Sequence, residues 1–205
     1  PHFKTLHATG FHGLGLESSD VMGREDYRSL SGMLGVDFEG GDATSIDDGI
    51  SIPAIGGSGA KYLQMIMRAT YREVTLEQEY NMQGDYNLYF EKLMQISSQL
   101  TSYKSHVTKL DFSDMISQYI ESVEAPYLDL LIVDEAQDCS VPQMLAIDRM
   151  GEHAKEIIFV GDPNQTIFQF AGADPDFFEK LFANVKEGDE LKQGLRCSKA
   201  INTFA

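Results

Sequence analysis

The feature that most restricts the fold is Leu131-Ile132-Val133-Asp134-Glu135-Ala136-Gln137-Asp138, followed about twenty residues on by Ile157-Ile158-Phe159-Val160-Gly161-Asp162. Each is an apolar run that breaks off in carboxylates. Such a run suits a strand buried in a parallel sheet, with its C-terminal tip reaching a polar site. An Asp at such a tip can hold Mg²⁺, and a neighbouring Glu can activate an attacking water.

The 205 residues can bury a sizeable core, as one large domain or two small ones. No apolar run approaches the roughly 20 residues of a membrane span, so the expectation is a cytoplasmic chain without a membrane partner. The opening Pro1-His2-Phe3-Lys4 has neither an initiator Met nor a signal sequence, and reads as internal to a longer protein. Cys139 and Cys197 match no metal spacing and make no disulfide framework, which points to buried, reduced thiols. A net charge of −16 argues against a sequence-independent nucleic-acid coat. It leaves room for a local groove that grips a single strand by aromatic stacking.

The order of elements predicts a sheet-and-helix body interrupted by helices. Phe3–Leu6 reads as a short strand and His7–Leu16 has helical spacing. Glu25–Leu34 reads as a helix with Tyr27, Leu30 and Leu34 on one stripe. Residues 35–59 lack periodicity and read as loop. Two tempting sites there fail: Ala60 and Tyr62 flank Lys61 where a phosphate loop needs Gly and Ser or Thr, and Asp42, Asp47 and Asp48 miss calcium-loop spacing. Lys61–Arg72 and Asn87–Tyr103 carry apolar stripes, the second through Phe90, Leu93, Met94 and Ile96. A helix from Asp111 to about Val123 precedes a return to the sheet over Leu128–Val133. Val141–Met150 is expected as helix and Glu156–Val160 as strand. Asp174-Pro175 starts a helix reaching about Phe182, Glu190–Lys192 forms a last strand, and Ser198 caps a final helix. This alternation implies a doubly wound parallel sheet.

Three segments carry a resemblance. Val133-Asp-Glu-Ala-Gln-Asp138, the stretch from Val160 through Gly161-Asp162-Pro163-Asn164-Gln165-Thr166-Ile167-Phe168-Gln169-Phe170 to Ala173, and Leu191-Lys-Gln-Gly-Leu-Arg-Cys-Ser198 are similar to motifs II, III and IV of UvrD/Rep-like superfamily 1 DNA helicases. Thr5-Leu6-His7 resembles that family's Thr-x-His element, and Asp111-Phe112-Ser113-Asp114-Met115 its Asp-Phe-x-Asp-Leu segment. The resemblance implies an α/β fold: a partial P-loop NTPase (RecA-like) parallel sheet with helices on both faces. Residues 1–16 and 109–205 would be parts of the motor domain, and 17–108 a helical insertion subdomain.

It further implies ATP and Mg²⁺ as cofactors, with Asp134 as metal ligand and Glu135 as general base. Gln165 would sense the γ-phosphate and Arg196 would act as an arginine finger. Phe168 and Phe170 would stack on DNA bases, with core packing as the alternative. Thr5 and His7 would contact the strand or link it to the ATP site; a helix-capping Thr and a packed His fit equally. Gln137 and Asp138 would support the site. The chain departs from the family at Ala171, where Arg is usual, and at Leu195, where Tyr is usual. No Gly-x-x-x-x-Gly-Lys-Ser/Thr occurs. The phosphate loop would therefore precede Pro1, motifs V and VI would follow Ala205, and the isolated chain would be inactive. Expected partners are single-stranded DNA, single/double-strand junctions and the remaining motor domains, with possible self-association through an uncovered sheet edge. The expected function is ATP-driven 3′–5′ translocation and unwinding. A non-catalytic binding remnant and the motor part of a helicase–nuclease are the alternatives.

Overall fold

The computed structural model describes residues 4–38, 44–46, 50–52, 57–83, 88–162, 165 and 188. Among them run seven α-helices and six short strands. In order these are α1 (Leu6–Gly13), α2 (Arg24–Leu34), β1 (Thr44–Ile46), β2 (Ile50–Ile52), α3 (Ala60–Tyr71), α4 (Leu76–Gln83) and α5 (Phe90–Val107). Then follow α6 (Phe112–Ser122), β3 (Tyr127–Leu128), β4 (Leu131–Val133), α7 (Val141–Gly151), β5 (His153–Ala154) and β6 (Ile157–Phe159). Strand β3 runs parallel to β5, and β4 parallel to β6. The elements expected beyond Asp174 lie outside the described residues.

No strand forms over Lys4–Leu6; α1 already begins at Leu6. Thr5 is the reason: its Oγ1 accepts the Ala8 N–H at 3.1 Å and its extended backbone opens the helix, so N-cap chemistry overrides strand propensity. Helix α1 packs along α6, and α6 along α7. Asp111 starts α6 with a capping box, accepting the Asp114 N–H at 3.0 Å while Asp114 accepts its own N–H at 2.9 Å. Pro142 lies in the first turn of α7, and Gln143 accepts the Ser140 N–H at 2.8 Å. Met144 and Ile147 of α7 bury Val133 of β4 and Ala136 beyond it. The return to the sheet is split into β3 and β4, and β5 precedes β6. Val133 is buried while Ile132 is 58% and Ile158 39% exposed. An unbroken apolar run had suggested cover on both faces.

Helices α2 to α5 close over a second core around Leu30, Phe38, Met65, Leu93 and Ile96. The Tyr27, Leu30, Leu34 stripe is buried as its spacing predicts. In α5 the buried line runs Leu93, Ile96, Leu100, and Met94, about 100° round the helix from Leu93, is exposed. Helix α4, the hairpin of β1 and β2, and β5 were not expected. Helix α4 is announced by a Thr-x-x-Gln capping box, in which Thr75 Oγ1 accepts the Gln78 N–H at 3.1 Å and Gln78 Oε1 accepts the Thr75 N–H at 2.8 Å. The hairpin of β1 and β2 sits inside the stretch read as loop, since three-residue strands are too short to display a period of two.

Gly57 and Gly59, before Lys61, serve packing. A Cβ on Gly59 would lie 2.3 Å from the buried Phe38 ring, and one on Gly57, at φ +67°, 2.6 Å from the Asp37 carbonyl oxygen. The turn thus closes onto residues 37–38 and leads into α3.

The helices of the second core leave and rejoin α1 and α6 side by side. Leu110 donates its N–H to Asp20 O, and Met22 donates to Leu110 O, both at 2.8 Å. Lys109 Nζ sits 2.8 Å from Asp26, and Lys104 Nζ 2.7 Å from Asp111 and 2.8 Å from Asp114. Burial alone would raise the Asp111 carboxyl; the Lys104 ammonium together with hydrogen bonds from Ser113 and the Asp114 N–H outweighs it and holds that carboxyl below its ordinary range.

Candidate functional site

The tip of β4 is irregular in an informative way. Val160 donates to Val133 O at 2.8 Å, and its own carbonyl takes the Ala136 N–H at 2.9 Å. A regular parallel ladder would use the N–H of residue 135 there, so one extra residue is spliced in. Glu135 absorbs the excess in the left-handed region, at φ 52° and ψ 40°. Its displaced N–H donates instead to Asp134 Oδ1 at 3.0 Å. For a non-glycine residue this conformation costs on the order of 1 kcal/mol. Both carboxylates are thereby expelled from the ladder and exposed.

A 3₁₀ turn, Ala136–Asp138, follows at once and turns the Gln137 side chain inward, where only 1% of the residue is exposed. Its amide is used at both ends. Nε2 donates to Glu135 Oε2 at 2.8 Å, and Oε1 accepts the Asp162 N–H at 3.1 Å. Left without partners, a buried amide would cost about 1–3 kcal/mol. Asp162, at the tip of β6, accepts from Gln165 twice: its carbonyl takes the backbone N–H at 2.9 Å and its Oδ2 takes Nε2 at 2.6 Å. Glu135, Gln137, Asp162 and Gln165 thus form one hydrogen-bonded chain across the two strand tips. Asp162 was legible only as the polar end of an apolar run; its place as the junction was not.

Thr5 and His7 flank Leu6, which packs against the cluster containing Val133 and Ala136. Thr5 caps α1. The His7 ring meets Phe112 edge-on at 5.4 Å, and its buried Nε2 has no hydrogen-bond partner among the described residues. Burial lowers the His7 pKa below 6.5 and favours the neutral ring. The sign follows: above pH 6.5 folding carries no penalty from His7, and below it the unfolded chain takes up a proton that the folded ring refuses, so stability falls. Urea midpoints at pH 7.5 and 5.5 should therefore drop more in the wild type than in His7→Leu. Asp114 and Asp148, whose carboxyls are raised chiefly by burial, act in the opposite direction in both proteins. Equal drops would show that His7 carries no such linkage.

Cys139 is a free thiol pushed up to about 11, by burial first and then by Asp138, and is poorly suited to act as a nucleophile. Phe168, Phe170 and Arg196, with Ala171, Leu195 and Cys197, lie outside the described residues. No group of three or more His, Cys, Asp or Glu that could hold a metal ion occurs among the described residues. The exposed Asp134 carboxylate could still hold a cation of the Mg²⁺ type. Such an ion keeps most of its waters and asks the protein for one or two carboxylates. Among the described residues no helix is long and apolar enough to cross a membrane.

The chain is similar to known helicases. An 89-residue stretch, 42% of the chain, is 32% identical to an ATP-dependent helicase/nuclease subunit of Pelotomaculum thermopropionicum, of which it covers 7%. A stretch of 115 residues, 50% of the chain, is 26% identical to the probable DNA helicase II homolog of Mycoplasma pneumoniae, of which it covers 16%. The chain thus matches only a small part of each relative's length. The model of the UvrD/REP helicase N-terminal domain matches residues 20–186, a span that holds the β4 tip, the Gln137 bridge and Gln165. The chain belongs to the UvrD/REP helicase N-terminal domain family.

Proposed function

We propose that these residues form part of the first motor domain of an ATP-dependent DNA helicase that moves along single-stranded DNA, 3′ to 5′, and opens duplex at junctions. The observation that carries the reading is the expulsion of Asp134 and Glu135 at the β4 tip, tied through Gln137 to the segment holding Gln165. The sheet is read as RecA-like, with residues 1–16 and 109–205 in the motor body and 17–108 as the inserted subdomain. The paired crossing of Asp20–Met22 with Leu110 supports a boundary there. The remaining motor domains are the natural partners, in the cytoplasm. Exposed Ile132 and Ile158 support self-association of the chain in isolation.

In this reading Asp134 holds Mg²⁺, which when bound screens the charge on the nucleotide's phosphates. Glu135 takes the proton of the attacking water. Gln165, whose amide now donates to Asp162, offers that donor to the γ-phosphate. Arg196 neutralises charge developing in the transition state, and Phe168 and Phe170 stack on bases, each worth roughly 1–3 kcal/mol. Thr5 and His7, beside Leu6, link the strand to this site. The isolated chain should release phosphate no faster than buffer, because its sequence contains no phosphate-cradling loop. The full-length protein should hydrolyse ATP with stimulation by single-stranded DNA, and Asp134→Ala should require far more Mg²⁺. Robust turnover by the isolated chain, stimulated by single-stranded DNA and lost in Glu135→Gln, would overturn that expectation.

A helicase–nuclease is the second reading, favoured by the 32% identity to a helicase/nuclease protein. Mg²⁺-dependent strand scission by the full-length protein would select it.

A further inference from the structure

We propose that Gln137 is the positioning residue that sets Glu135 and Gln165 relative to each other. The inference rests on the reading of Glu135 as the base and Gln165 as the phosphate sensor, and goes beyond it by naming what couples them.

The chemistry leaves little choice of side chain. An ionised Glu135 carboxylate can only accept, and the Asp162 backbone N–H can only donate. The group between them must therefore donate at one end and accept at the other, which fixes the amide's orientation. Gln137 does both, at 2.8 Å and 3.1 Å. Asn is a methylene shorter, and Glu, when ionised, cannot donate. Its burial removes competing water, and its seat in a 3₁₀ turn, with Asp138 donating its N–H to Glu135 O at 2.9 Å, makes the bridge short and stiff.

Two consequences follow. The Glu135 side chain, exposed and borne on a left-handed backbone, is tied to Gln137 by the 2.8 Å hydrogen bond. Asp162 is held by the same amide, so displacement of Gln165 from Asp162 is felt at Glu135 through Asp162 and Gln137. Hydrolysis and the state of the Gln165 segment thus share one mechanical link.

The test uses the full-length protein with Gln137→Met, Gln165→Ala and the double variant, assayed for phosphate release with single-stranded DNA. Gln137→Met keeps the length and loses both hydrogen bonds. It should lower kcat about 10²-fold, the effect of misplacing a reacting group by about an ångström, with KM for ATP nearly unchanged. The double variant should lose little more than the worse single one, because both changes break one chain. A purely structural role would lower Tm and multiply the two losses. In the unaltered protein, the Asp162 amide should be protected from hydrogen exchange, a readout that needs no variant to fold. A kcat within twofold of wild type, multiplicative losses or a freely exchanging Asp162 amide would overturn the proposal. Glu135→Gln serves as the control: if it retains turnover, the assignment of the base fails instead.

Discussion

Glu135→Gln in the full-length protein is expected to lower ATP turnover by about 10²–10⁴-fold, the range a positioned general base supplies. The substitution is nearly isosteric. The new amide keeps a carbonyl oxygen to accept from Gln137 Nε2, as the Glu135 carboxylate does at 2.8 Å, and residue 135 stays in the same left-handed backbone. What is lost is the ability to take a proton from water. Nucleotide affinity should therefore survive while phosphate release does not, and the two are measured separately by equilibrium binding and by turnover at saturating ATP. A turnover within tenfold of wild type would assign the base to another residue. Asp134→Ala provides the contrast: its defect should ease with added Mg²⁺, and that of Glu135→Gln should not.

Removal of the Glu79 carboxylate should be the most damaging single change in the helical region. Glu79 lies on α4 with its side chain wholly buried, 3.1 Å from Arg72 and 3.6 Å from Arg68 on α3. The two arginines are one helical turn apart and remain 29% and 19% exposed. Glu79→Ala removes the buried carboxylate that both arginines face and opens a void, at a cost of about 3 kcal/mol, the lower end for breaking a buried pair because water reaches the arginines. With a urea slope of about 1–3 kcal/mol/M, the midpoint should move by roughly 1–3 M. Replacing Glu79, Arg68 and Arg72 together by apolar residues of similar size should restore most of the loss. A shift under about 0.5 kcal/mol for Glu79→Ala, within the range of an ordinary surface substitution, would mean the cluster contributes little.

The same residue explains why α4 was missed in the sequence. Leu76-Glu77-Gln78-Glu79-Tyr80 is mostly polar, and pattern reading assigns a polar residue to solvent. The Thr75-x-x-Gln78 capping box was the available signal, and it is local. Signals of that kind carried most of what was legible. Asp111 marked the start of α6, the spacing of Tyr27, Leu30 and Leu34 marked a buried face, and the acids ending each apolar run marked the strand tips.

At the site, the linear chain already held the chemical groups and their order: carboxylates after Val133, Gln137 two residues beyond Glu135, and Gln165 after the next strand. Those follow from residue identity and short-range spacing, which folding cannot change. Three facts waited for tertiary structure. Parallel pairing of β4 with β6 put a surplus residue at Glu135 and forced both acids outward. Burial of Gln137 turned an apparently ordinary amide into the bridge to Asp162. The second core buried Glu79 against two half-buried arginines. Each depends on contacts between residues distant in the chain, and a one-dimensional pattern carries no record of which distant residues will meet.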